Sequence, residues 1–208
     1  ILIKNIPMVN QGPKGYCVPA TWERYLRYFD MPADMYLLAL VGGASGIFGT
    51  NVNRWDAIMD PIISSYGKEL KRIENIVSFE NISKYIDKGL PIMWTFSSTP
   101  LFQLEADALT KFRALYPHEN YDNLDDKSFN TRKNNYEKIW NDLKEKKYKS
   151  TSRNELLRSM GHICLIIGYN EKTNQICISD SWGNKYSERW VSINSMKGKS
   201  QSMSIIKW

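Results

Sequence analysis

At 208 residues, with 42% hydrophobic and 24% charged side chains, the chain has ordinary globular composition, which excludes a disordered or fibrous protein. Its longest apolar runs, Met35–Val41 and residues 163–167, fall far short of the roughly 20 residues that span a bilayer. Lys and Arg number 28 against 22 Asp and Glu, a net charge of +6. No secretory signal opens the chain, but it begins at Ile1 rather than Met, the start expected after removal of an upstream segment. The compartment is therefore left open, secreted and cell-envelope locations included.

In chain order, Val18, Trp22, Tyr25, Leu26 and Phe29 recur at the spacing of one helix face, which predicts a helix from Cys17 to Phe29. Pro19 falls in its first turn and Pro32 beyond its end. A short helix over 33–40, closed by Gly42 and Gly43, precedes a Gly-rich loop at 45–50. A helix over 53–64, a strand over 70–73, a helix over 79–88 and a buried strand over 90–96 follow. Leu101, Leu104, Ala108, Leu109, Phe112 and Leu115 then mark another helix, and a charged helix is expected over 131–147. Strand-like runs at 162–170, 175–180, 185–193 and 203–208, separated by turn residues, predict an antiparallel sheet. The expected fold is α+β in two layers, one domain over 1–208. Its helical part covers about 1–89, its sheet part 90–96 and 161–208, and a helical insertion about 101–150.

Residues 131–158 hold nine basic side chains against four acidic ones. No nucleic-acid motif accompanies them, so the stretch reads as a solvated helix rather than a nucleic-acid surface. Three cysteines, an odd number, exclude a fully paired disulfide framework. With two histidines and no zinc-finger spacing, neither a metal nor another cofactor is expected. Cys164 and Cys177 have apolar neighbours and read as reduced core thiols, because a turn centred near 172–173 leaves them out of register. His118, after Pro117, reads as a surface residue. Gly46 and Gly49 do not fit a phosphate-loop pattern, and their segment reads as a loop lining a cleft.

Chemistry concentrates in two places. Gly12, Pro13 and Gly15 punctuate a tight turn, after which Cys17 opens the first helix. A thiol there faces unpaired N–H groups and the positive end of the helix dipole, which favour thiolate over thiol. The turn returns Gln11 toward the sulfur, where its amide NH2 and the Cys17 N–H would hold a developing oxyanion. Alone, a cysteine at a helix start reads equally well as a small buried hydrophobe. His162 stands at the mouth of an apolar strand, placed to accept a thiol proton, although a lone His is more often structural. A hairpin turning near 171–174 would bring Asp180 beside His162, where its carboxylate fixes the tautomer and ring orientation. Trp182 would cover that hydrogen bond and exclude water.

On these residues the sequence resembles the papain-like cysteine peptidases. The matching pieces are Asn10-Gln11-Gly12, Gly15 and Cys17, then His162 through Tyr169, then Asp180-Ser181-Trp182-Gly183, with 145 residues from Cys17 to His162. Val18 in place of Trp, Lys14 in place of a disulfide-forming Cys, and Asp180 in place of Asn make the chain more similar to the bacterial branch related to double-glycine leader peptidases. The resemblance implies Cys17 as nucleophile, His162 as general base and acid, Asp180 as orienting residue and Gln11 as oxyanion donor. It also implies a peptide or protein substrate. The same residues would also suit a transglutaminase-like acyltransferase, or a peptide-binding module that keeps the groove without the chemistry. Residues 101–150 match nothing in that family.

Overall fold

A computed structural model describes residues 1–44, 52–116 and 125–208. The expected loop at 45–50 and His118 lie outside the described residues. Helices α1 (Cys17–Tyr28), α2 (Met35–Val41) and α3 (Val52–Ser65) precede β1 (Glu69–Ile73), α4 (Phe79–Ile86) and β2 (Ile92–Ser98). After them come α5 (Pro100–Leu115), α6 (Asp126–Ser150), α7 (Arg153–Leu157), β3 (Met160–Asn170), β4 (Gln175–Ser179), β5 (Arg189–Ser192), α8 (Ile193–Met196) and β6 (Ser200–Lys207). The strands form one sheet in the order β1-β6-β2-β3-β4-β5, every neighbouring pair antiparallel. The chain is α+β.

β3 runs through the middle, between β2 and β4. Ile163, Leu165 and Ile167 pack on one face against Val18, Trp22 and Leu26 of α1 and Trp55 and Met59 of α3. Cys164 and Ile166 face the other way, toward Ile82 and Ile86 of α4 and Phe102 and Ala106 of α5. Helices therefore cover both faces, where the sequence predicted two layers. The unbroken apolar run at 163–167 carries the physical reason, since a strand with water on one face would alternate apolar with polar.

Several boundaries differ from the sequence reading. The expected strand over 185–193 is shortened to β5, because Asn184–Tyr186 forms a 3-10 turn instead. Gly183 enters that turn at φ +99, a conformation open to glycine and strained for other residues. The short helices α7 and α8 were not anticipated, and each starts on a serine cap, Ser152 and Ser192, rather than on an apolar repeat. Helix α6 extends beyond the expected 131–147 at both ends, starting where Asp125 accepts the Ser128 N–H at 2.7 Å. All three cysteines are free thiols. Gly168, not Cys164, is the partner of Cys177 across the β3–β4 hairpin, as the turn position predicts.

Candidate active site

Cys17 is the first residue of α1, and Tyr16 before it supplies no side-chain cap. The N–H groups of the first turn thus stay free of side-chain acceptors, and the thiol sits half-buried at the positive end of a 12-residue helix. The loop leading to it is laced to the segment after β4. The Gln11 N–H donates to the Ser181 carbonyl at 2.8 Å, Asn10 bridges to Trp182, and the Gly12 N–H donates to Asn10 Oδ1 at 3.0 Å. The Gln11 side-chain amide makes a long 3.4 Å bond to the Lys14 carbonyl, while its Oε1 is buried with no partner among the described residues.

His162 lies near the start of β3, and the β3–β4 hairpin returns the chain to Asp180 just past β4. A register shift between Ile166 and Gly168 inserts one extra residue into β3, so Cys164, Ile166, Tyr169, Ile176 and Ile178 share one face. His162 Nε2 meets Asp180 Oδ1 at 2.7 Å. Asp180 is 0% exposed, and its second oxygen accepts from Arg189 Nη1 at 2.6 Å. Trp182 stacks on the imidazole at 4.7 Å, and the Phe96 ring meets it edge-on at 5.5 Å.

With Nε2 committed to Asp180, Nδ1 is the ring nitrogen left for Cys17. Burial pulls the His162 pKa down, but hydrogen bonds with Asp180 and Cys17 and the charges of both outweigh it, and the group is pushed up to about 9. Burial likewise opposes ionisation of Asp180, yet His162 and Arg189 hold its carboxyl below the usual range. The structure therefore brings Cys17, His162 and Asp180 together from α1, β3 and the end of β4. Gln11 joins them through its backbone bond to Ser181, the neighbour of Asp180.

A family model described as the Peptidase_C39 like family matches residues 3–203. The chain belongs to that family. A search of the curated proteins finds no match to it. Membership covers nearly the whole chain and supports a cysteine peptidase of the papain-like kind, related to C39 leader peptidases.

Around Cys17, His162 and Asp180, this Peptidase_C39 like chain places residues that the sequence reading passed over. Arg189, 1% exposed, bonds Asp180 with one arm of its guanidinium and reaches α5 with both. Nη1 also donates to Gln103 Oε1 at 2.5 Å, and Nη2 donates to the Gln103 carbonyl at 3.0 Å and to Asp107 Oδ1 at 2.8 Å. Helix α5, from a stretch the sequence reading left without a family counterpart but the family model covers, is thereby hydrogen-bonded to Arg189, which in turn holds Asp180. The signal was an arginine two residues before Val191 in a strand, a spacing that puts Arg189 on the same inward face as that apolar side chain. Arg24 is the second omission. Fully buried, it donates from Nε to the Pro7 carbonyl at 2.8 Å and from Nη1 to the Ser179 carbonyl at 3.1 Å, with Nη2 on Ser179 Oγ. Burial lowers its pKa to about 10, partly offset by Asp180, so it stays charged at neutral pH. Its place two residues after Trp22 and one before Tyr25, inside a buried helix face, was the readable sign. Among the described residues, no group of three or more His, Cys, Asp or Glu is arranged to hold a metal ion.

Proposed function

We propose that this protein hydrolyses peptide bonds through Cys17, His162 and Asp180, with Gln11 and the Cys17 N–H as oxyanion donors. The single observation that supports it best is the 2.7 Å bond from His162 Nε2 to the buried Asp180, which leaves Nδ1 for the thiol. The proton Cys17 has given up rests on Nδ1, making His162 an imidazolium, and the thiolate attacks the substrate carbonyl carbon. The carbonyl oxygen takes up the negative charge beside the Gln11 amide and the uncapped N-terminus of α1. His162 then returns the proton to the departing amine, leaving a thioester on Cys17. In the second half, His162 takes a proton from water as it attacks the thioester, and Cys17 leaves as thiol.

Asp180 acts by orienting and polarising the imidazole and remains ionised throughout. Arg189 acts one step further out, as a positioning residue that fixes the Asp180 carboxylate. Trp182 and Phe96 keep water from the His162–Asp180 bond, which preserves its strength.

The test is a peptidyl electrophile that alkylates thiols, with mass spectrometry of the labelled peptide. Label is expected on Cys17 alone, and Cys17→Ala and His162→Ala should each abolish peptide turnover while keeping the circular dichroism of the parent. Turnover that survives in Cys17→Ala, or fast labelling at Cys164 or Cys177, refutes the reading. Transfer of the acyl group to an added amine in preference to water would replace hydrolysis by acyl transfer.

A further inference from the structure

Between the first turns of α5 and the start of β3 lies a cavity of about 460 Å³ that none of the catalytic steps uses. His162 and Trp182 line it, whereas Cys17 and Gln11 do not. It therefore opens on the imidazole side of the cleft, where the departing amine takes its proton, and away from the oxyanion donors. Its size falls within the range of small-ligand sites. Leu104, Met160, Trp182 and Tyr186 supply apolar walls, and Met160 is left 60% exposed beside the opening.

Its charges are unevenly matched. Asp107, the one carboxylate in the lining, is already paired with Arg189. Arg189 Nε is buried with no partner among the described residues. Lys147 of α6 reaches the cavity half-buried, near enough to Glu155 of α7 for the two charges to interact, but no hydrogen bond or ion pair holds its ammonium among the described residues. One ammonium with no bonded partner and one buried donor thus face apolar walls among the described residues, a combination that a purely apolar ligand would leave uncompensated. A small anion alone would leave the walls uncovered.

We propose that this cavity is the subsite for the leaving half of the substrate, and that it takes a bulky apolar side chain accompanied by a carboxylate beside Lys147. The assignment rests on Cys17 and His162 being the reacting groups. It makes Lys147 and the α5 face of the cavity select the residues on the amine side of the cleaved bond, and gives residues 101–150 a role in specificity.

Fragments with a free amino terminus test it without requiring turnover. The probes are phenylalanyl-glutamate amide, phenylalanyl-glutamine with a free carboxyl terminus, phenylalanyl-glutamine amide and glycyl-glutamate amide. Their affinities are measured by calorimetry on the wild-type protein, Cys17→Ala and Lys147→Ala. At least one carboxylate-bearing phenylalanyl fragment should bind about tenfold more tightly than the neutral amide, and Lys147→Ala should erase that gap. Comparing the first two probes tells a side-chain carboxylate from a terminal one. Glycyl-glutamate amide should lose about tenfold for want of the apolar group. Equal binding of charged and neutral fragments, a charge preference that survives Lys147→Ala, or no binding at millimolar concentration overturns the proposal. Fragment binding with the expected preferences, in a protein that cleaves no peptide, upholds the subsite and refutes the catalytic reading instead. Cleavage by wild type with no preference at the leaving residue does the reverse.

Discussion

Arg189→Met removes the one cation hydrogen-bonded to Asp180 whose charge does not depend on pH. In the parent protein the carboxylate is 0% exposed and has two cationic partners, Arg189 at 2.6 Å and the imidazolium of His162 at 2.7 Å. His162 carries a raised pKa of about 9, so its stabilising charge is fully present below about 6.5 and is lost as pH rises through about 9. At pH 7 the variant therefore keeps one charged partner for Asp180 and loses the arginine bonds to Asp180, Asp107 and Gln103. Hydrogen bonds to charged groups contribute about 1.5–3 kcal/mol each, and the removed cation no longer has to be desolvated, so a net loss of about 2 kcal/mol is expected. At about pH 10 His162 is neutral, and the variant holds a buried carboxylate with no cation bonded to it, a condition that costs about 3–5 kcal/mol. The gap between parent and variant should thus widen with pH. Urea unfolding followed by tryptophan fluorescence at both pH values measures it. A gap that stays constant, or one below about 1 kcal/mol throughout, would show that Arg189 does not hold the Asp180 charge.

Three further outcomes are expected. The alkaline limb of kcat/KM should lie near pH 9, where His162 loses its proton, and Asp180→Asn should move it down by more than one pH unit toward 6.5; an unmoved limb separates Asp180 from the titration. Gln11→Ala should lower kcat by about 10²–10³ with little change in KM, as loss of a transition-state donor does, and an intact kcat would remove Gln11 from the oxyanion site. Cys164 and Cys177 are fully buried, and burial raises both thiols well above their ordinary range. Iodoacetamide should therefore leave both unmodified until the protein is unfolded, and modification of either in the native protein would contradict the packing around β3.

Helix α1 was legible because its apolar side chains repeat at the helical period, and β2 and β3 because short unbroken apolar runs bounded by turn residues read as buried strands. The hairpin turn near 171–174 sufficed to put Asp180 beside His162, because antiparallel pairing fixes which residues return to the same level. The helices α4 and α5 were expected, but their place on the second sheet face was missed, although the unbroken apolar run in β3 already required a cover there. β5 was overextended because Tyr186 reads as a strand residue locally, whereas its carbonyl accepts the Asp180 N–H at 2.9 Å and its ring packs on Trp182 at 5.5 Å. That is a tertiary override of local preference.

What the sequence by itself determined was the order of the longer elements, a cysteine at a helix start, and a histidine and a carboxylate on one hairpin. Each is a local matter of periodicity, turn chemistry or short-range pairing. Only the tertiary structure decided that Arg189 links α5 to Asp180 and that Arg24 ties Pro7 to Ser179. It also decided that a cavity lined by Lys147 opens beside His162. Those contacts join residues as much as 155 positions apart, and the pattern of one segment carries no record of which distant segment packs against it.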